Sequence, residues 1–172
     1  MDTSATQLLY QSGREGRVRL LTWGSALLLL LTWLAGLWVY QNLLVGEEGA
    51  ELAPQGTRVV AGVAVAVVGA VPLAGMLVYR RYYVVRLSYR PEMDRIEIET
   101  LGLSRPQVRL VESGLVVGAR YHQGTLRLPG QVAVDAPWHW VRVEGGRGFL
   151  LDGRGRFAES ELLQRILSAK AG

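Results

Sequence analysis

The sequence predicts an α+β membrane protein. A two-helix transmembrane hairpin is followed by a small antiparallel β domain, with a pleckstrin-homology-like barrel as the nearest shape, and a C-terminal amphipathic helix closes it. Three observations carry this reading. Two runs of 21 residues, 20–40 and 59–79, contain no charged residue. Residues 80–172 change to an alternation of apolar and polar positions, and their last segment returns to a helical period. Composition agrees: of 172 residues 49% are hydrophobic and 20% charged, against about 25% charged in an average soluble domain. Disorder is excluded by this apolar content. With no cysteine, a disulfide scaffold, a thiolate metal site and a cysteine nucleophile are excluded as well.

The first run, LLTWGSALLLLLTWLAGLWVY, makes about 32 Å of helix at 1.5 Å per residue. That matches a hydrocarbon core of about 30 Å. Trp23, Trp38 and Tyr40 stand near its ends, where amphipathic rings favour the headgroup level. Arg14, Arg17 and Arg19 precede it, as in a signal peptide, but the run exceeds the usual apolar core of such a peptide, about 7–15 residues. Gln41-Asn42-Leu43-Leu44 offers no small-residue cleavage site. The run reads as a signal-anchor helix.

The second run differs in texture. Gly62, Ala66, Ala70 and Ala74 recur every four residues on one helix face, which Gly69 widens. Small residues let helices approach closely in lipid, where packing drives association. The ridge fits either the chain's own first helix or the helix of a partner. Pro72 supplies no N–H and is expected to kink or loosen the helix. Neither run holds an ionisable Asp, Glu, Lys, Arg or His, so a proton relay, ion path or membrane haem has no residue to use there.

Topology follows from arginine. Three flank the first run, and Arg80, Arg81, Arg86 and Arg90 follow the second. The connection 41–57 has no Lys or Arg but has Glu47, Glu48 and Glu51. Basic flanks stay on the cytoplasmic side, so both termini are expected inside. The chain then divides into a cytoplasmic tail (1–18), the hairpin (19–79) and a cytoplasmic β domain (80–172). The last part carries 15 Lys and Arg against 10 Asp and Glu, and it is long enough for a small core expected to fold without the hairpin.

Its strands are predicted at 82–89, 94–101, 107–111, 115–119, 124–128, 138–144 and 148–151. Ile96 and Ile98 alternate with Glu97 and Glu99, Val108 and Leu110 flank Arg109, Leu126 and Leu128 flank Arg127, and Val141 and Val143 flank Arg142. Arg90-Pro91-Glu92-Met93-Asp94, Glu112-Ser113-Gly114, Pro129-Gly130 and Glu144-Gly145-Gly146-Arg147 supply turns. Residues 132–134 fit a strand or a loop. Leu162, Leu163, Ile166 and Leu167 form one apolar face of a helix predicted over 159–170, with Lys170 in its last turn.

The inventory for catalysis is thin. His122 and His139 lack ligand-type neighbours at useful spacing, even with Asp135 added. Ser113, His122 and Asp135 make a triad only on paper, without a nucleophile elbow. Neither Gly-rich turn has phosphate-binding spacing. In Asp135-Ala136-Pro137-Trp138-His139-Trp140, a strand puts Trp138 and Trp140 on one face. They either fill the core or sit at the membrane surface or on a partner. The arginines alternate along strands as on a solvated outer face, which is attracted to anionic lipid when it lies near a bilayer. No aromatic platform for nucleic acid stands among them.

A basic flank, a two-helix hairpin with a short outer loop, then Tyr83-Val84-Val85-Arg86-Leu87-Ser88-Tyr89 and Arg95-Ile96-Glu97-Ile98-Glu99-Thr100-Leu101-Gly102 resemble the transmembrane-protein-70-like family of mitochondrial inner-membrane proteins and its bacterial look-alikes. The likeness covers about residues 20–111. It implies no catalytic motif and implies assembly factors for respiratory complexes or ATP synthase. Residues 1–18 include Asp2 and Glu15, unlike an Arg/Ser-rich transit peptide, and this leads to the expectation of a bacterial cytoplasmic-membrane protein. The expected function is that of a non-enzymatic accessory subunit or assembly factor, without cofactor, metal, small-molecule substrate or nucleic acid. Its expected partners are subunits of an integral-membrane complex and phospholipid. Gly62, Ala66, Gly69, Ala70 and Ala74 are the expected helix-packing face. Trp23, Trp38, Tyr40, Arg80, Arg81, Trp138 and Trp140 are the expected contacts with the membrane surface or a partner. A membrane-tethered lipid- or ligand-sensing module is the alternative.

Overall fold

The architecture is that of a computed structural model describing residues 6–45, 51–103, 105–126, 134–135, 137–145 and 147–168. In chain order the elements are β1 (Gln7–Gln11), α1 (Glu15–Asn42), β2 (Leu44–Val45), β3 (Glu51–Leu52), α2 (Gln55–Tyr82), β4 (Val84–Arg90), β5 (Arg95–Thr100), β6 (Gln107–Glu112), β7 (Val116–His122), β8 (Thr125–Leu126), β9 (Val134–Asp135), β10 (Trp138–Val143), β11 (Arg147–Asp152), β12 (Arg156–Phe157) and α3 (Glu161–Ser168). Gly16–Val78 forms one compact unit, and the residues on either side of it form the other.

The first unit is the helix hairpin. Each uncharged run lies inside a helix of 28 residues, longer and more apolar than a span requires, and only 11% of each apolar window is buried. A core helix of a soluble fold would be buried far more. The hydroxyls within the first run bond back to their own helix: Thr22 Oγ1 to the Val18 carbonyl at 2.8 Å, Ser25 Oγ to Leu21 at 2.9 Å and Thr32 Oγ1 to Leu29 at 3.0 Å. These three hydroxyl hydrogens are thereby kept from facing hydrocarbon unpaired. α2 continues as one helix through Pro72. The turn between the helices carries the two-residue strands β2 and β3, paired through Leu44–Leu52 and Val45–Glu51. Glu47 and Glu48 of the acidic connection lie outside the described residues.

The second unit is built on two sheets, ordered β12-β1-β4-β5-β6 and β11-β10-β7. Their inner faces and α3 share one core that includes Leu9, Tyr10, Val84, Leu87, Ile96, Ile98, Val141, Phe149, Leu151, Leu163 and Ile166. One isolated parallel bridge, Tyr83–Leu150, links the main ladders. The ladders of the described residues form separate sheets and do not close into a barrel. The Pro91 turn forms as its chemistry dictates: Pro91–Met93 is a 3-10 turn ending on Asp94 at φ 48°. The Asp94 carboxylate accepts bonds from Tyr89 at 2.9 Å and Ser113 at 2.6 Å. Both bonds favour the charged form and hold its pKa below the ordinary value.

The largest departure from the sequence reading is β1. Residues 1–18 were expected to be a tail, yet Gln7–Gln11 is an internal strand, paired antiparallel with β4 on one side and β12 on the other. A bulge between Leu8 and Tyr10 breaks its alternation. The bulge lets two consecutive residues, Leu9 and Tyr10, both reach 0% exposure. A boundary at residue 80 therefore omits an internal strand of the domain. β12 and the β2–β3 pair were also missed, being only two residues long each. The predicted strand 124–128 is described only at Thr125–Leu126, paired with Val134–Asp135. Leu128, Pro129-Gly130, residues 132–133, Gly146 and Lys170 lie outside the described residues.

Candidate functional site

The hairpin is held by a narrow seam of small residues. A Cβ added at Gly36 would stand 2.6 Å from the Gly62 carbonyl oxygen, and one at Gly62 would stand 2.8 Å from that of Gly36. A Cβ at Gly69 would fall 2.1 Å from Thr32 Oγ1 and 2.7 Å from Leu29 Cα. Backbone thus meets backbone at both crossings, which any side chain would prevent. Ala66 joins the seam, with its Cβ 3.5 Å from the position a Gly36 Cβ would take. Of the predicted ridge, Gly62 and Gly69 are buried, Ala66 and Ala70 are half-buried and Ala74 is exposed. The seam steps by four and then three residues, close to the pitch of two crossing helices, so a strict four-residue row drifts off it. Its other half, Thr32 and Gly36, escaped the sequence reading. The signal was available, because two small residues four apart in the Leu-rich run form the pattern already recognised in the second.

Beside the seam lies an apolar crevice of 270 Å³ lined by Trp33, Leu37, Tyr40, Val59, Val63 and the seam glycines. Trp23 is 76% and Trp38 65% exposed, while Tyr40 lies under the Arg58 guanidinium at 5.5 Å from the ring centroid. That contact ties the end of α1 to the first turn of α2 by a cation–π attraction.

In the β unit, Trp138 and Trp140 share a face as alternation requires, but it is the face turned away from the core. Val141 and Val143 point inward and are buried. Core filling by the two indoles, one of the two placements the sequence allowed, is overturned. Trp138 stacks on His122 at 4.1 Å and meets Trp140 edge-on at 6.3 Å. Trp140 packs on Tyr82 at 5.8 Å and lies flat over Gly148, where a Cβ would be 2.1 Å from the ring. Arg80 and Arg81 occupy the last turn of α2, the first half-buried and the second exposed.

His139 points to the inner side between Tyr121 and Phe157, with Nδ1 buried and unpartnered. Burial pushes its pKa below the ordinary imidazole value. The paper triad is not assembled, since Ser113 binds Asp94 and His122 is stacked on Trp138. Among the described residues no group of three or more His, Cys, Asp and Glu is placed to hold a metal ion.

Sequence reasoning also missed a polar cluster that anchors β1. The Tyr10 hydroxyl donates to the Asp152 carbonyl at 3.3 Å and accepts the Asp152 N–H at 3.0 Å. The Ser12 and Tyr83 hydroxyls bond each other, and Arg14 donates its N–H to Ser12 Oγ at 3.2 Å. Arg14 Nε faces Asp152 Oδ2 at 3.6 Å. Burial pushes the Tyr10 and Tyr83 phenols above their usual pKa, so both stay neutral. These groups are engaged with one another, and the arrangement is a lock between strands.

A cleft of 770 Å³ opens between β6 and the β10–β11 turn, with Arg95, Arg109, Glu112 and Glu144 around buried Val143 and Phe149. Its mixed charges favour no single ligand sign.

A pair of long lipid-compatible helices, sealed by glycine and continuous with a two-sheet domain, defines a membrane protein with two candidate spans and an attached β module. Residues 5–169 match the model of the TMEM70/TMEM186/TMEM223 protein family. The chain belongs to that family. Among individual curated proteins, none matches it.

Proposed function

We propose that the protein is a non-enzymatic assembly factor or accessory subunit of a larger integral-membrane complex of the respiratory, energy-converting kind, in a bacterial cytoplasmic membrane. Family membership supports the class of role. The observation that carries the reading is the hairpin surface. The two helices use a thin glycine seam for each other and leave Trp33, Leu37, Val63, Val67 and Val71 outward, beside the 270 Å³ crevice. A large side chain from a partner helix fits such a notch, and packing of this kind is what associates helices in lipid. Ala70 and Ala74, off the seam, belong to this outer surface.

The orientation proposed has both termini cytoplasmic. β1 and β4 share one sheet, which supports placing the residues on either side of the hairpin on one side of the membrane, and the arginine excess supports taking that side as the inner one. Arg58, near the outer end of α2, is the exception, and it is held over Tyr40.

Affinity purification of the full chain from native membranes in mild detergent tests the proposal: subunits of an oxidoreductase or ATPase should co-migrate, and a lone monomer would sink it. Topology is read separately from single cysteines, which are unique in a chain without any. One at Gln11 is expected to be labelled only from the cytoplasmic side. The alternative reading is a membrane-tethered lipid- or ligand-sensing module, and the 770 Å³ cleft supports its ligand-sensing form.

A further inference from the structure

We infer that the outer face of the three-stranded sheet is a headgroup-binding surface, seating the β unit on the anionic phospholipid of the bilayer that its own hairpin crosses. The inference rests on reading α1 and α2 as membrane spans. Alternation turns Trp138, Trp140 and Arg142 of β10 outward, and the ladder sets His122 opposite Trp138 and Arg120 opposite Trp140. Two indoles left half-exposed on the outside of a sheet, while the core excludes them, have the chemistry of an interface residue: an apolar body and a polar N–H.

Chain connectivity places this face. The uncharged run ends at Tyr79, and Tyr82 lies three residues further, about 4.5 Å along a helix. The Tyr82 ring packs on Trp140 at 5.8 Å. The headgroup layer on each side of the hydrocarbon is about 5–8 Å deep. Trp140 is thus tied, through one ring contact, to the depth at which indoles concentrate.

Charge points the same way. The outward ionised side chains of β7 and β10 are Arg120 and Arg142, both exposed, and Arg80 and Arg81 stand at the helix end. Among the described residues of this face's ladder the carboxylate is Asp152, opposite Trp138, which is buried and faces Arg14. Of the exposed acids in this unit, Glu92, Asp94, Glu112 and Glu144 belong to turns and to β6, and Glu159 and Glu161 to the start of α3. The face is therefore basic and aromatic at once, complementary to an anionic headgroup layer.

The test uses the full chain with Trp23, Trp33 and Trp38 changed to Phe, so that emission reports Trp138 and Trp140 alone. It is placed in nanodiscs of phosphatidylcholine, with or without phosphatidylglycerol, carrying lipid brominated close to the glycerol backbone. Quenching should be stronger with phosphatidylglycerol and fall at high salt. It should drop by about twofold or more in R120E/R142E, and less in R120Q/R142Q, with circular dichroism unchanged. Weak quenching equal in both lipids would overturn the inference while leaving the spans intact. So would protection that appears only on adding solubilised membrane proteins, since a partner would then own the face. A chain that fails to enter the discs overturns the spanning reading and this inference with it.

Discussion

The hairpin and the β unit bury apolar residues by opposite rules. In the β unit, Tyr83, Val84 and Ile96 are at 0% exposure, while on the hairpin Leu20 is 72% and Val60 70% exposed. The β unit answers to water, where each buried large apolar side chain is worth about 1.5–3 kcal/mol. The helices answer to lipid, where a Leu gains little by leaving the hydrocarbon and close backbone approach decides what packs. So apolar side chains of the same kinds form a wide core in one region and, in the other, leave a seam a few residues wide. In the core the anchors are the largest residues; in the seam they are the smallest.

The sharpest way to break this contrast is to remove β1. A fragment of residues 80–172 loses Leu9 and Tyr10, each fully buried, together with the internal strand between β4 and β12. The loss should exceed about 5 kcal/mol, comparable to the whole stability of a small domain. The fragment should show no cooperative unfolding by circular dichroism, and joining residues 6–14 to it through a flexible linker should restore it. A cooperatively folded 80–172 would refute the role given to β1.

Next in size is the seam. Gly62→Leu or Gly36→Leu should cost about 1–3 kcal/mol by overpacking, read as lower thermal stability in detergent micelles and weaker crosslinking between α1 and α2. Gly75→Leu, where a Cβ meets nothing within 4 Å, should leave both unchanged. Equal effects at Gly62 and Gly75 would remove the distinction between seam and lipid face.

Within the polar lock, Tyr10→Phe should cost about 1–2 kcal/mol, because it leaves the buried Asp152 N–H without its acceptor. Urea unfolding of the full chain gives the value. A neutral substitution would mean that the ring contacts alone, such as the 4.9 Å contact with Phe157, hold β1.

The smallest effect is pH dependence at His139. Its folded pKa lies below the ordinary value of 6.5 because burial disfavours the imidazolium. Between that folded value and 6.5 the unfolded chain binds a proton that the native one refuses. Stability therefore falls as pH drops from above 6.5 through this window. His139→Phe should flatten the slope, and an unchanged slope would assign it to another group.

What was legible followed from periodicity and charge. Both spans, the 95–100 and 107–112 strands and the Pro91 turn could be read because each repeats a local chemistry that needs no distant partner. β1 could not, since its bulge erases the period-two signal in Gln7–Gln11, and the Ser12-Gly13 turn signal that follows names no partner strand. The polar lock joins Tyr10 to Asp152, 142 positions away, which only a fold can bring together. Thr32 and Gly36 were readable as a small-residue pair, but their partners on α2 were not.

By itself the sequence determined that two helices are long and uncharged enough for a bilayer and that a strand-rich segment follows. Hydropathy and alternation are properties of neighbours along the chain. It also determined that Trp138 and Trp140 share a face. Which face this is, and which strand completes the sheet, only the tertiary structure decided. A strand's two sides become inner and outer only when another sheet covers one of them, and here that cover is built on a strand from the far side of the hairpin.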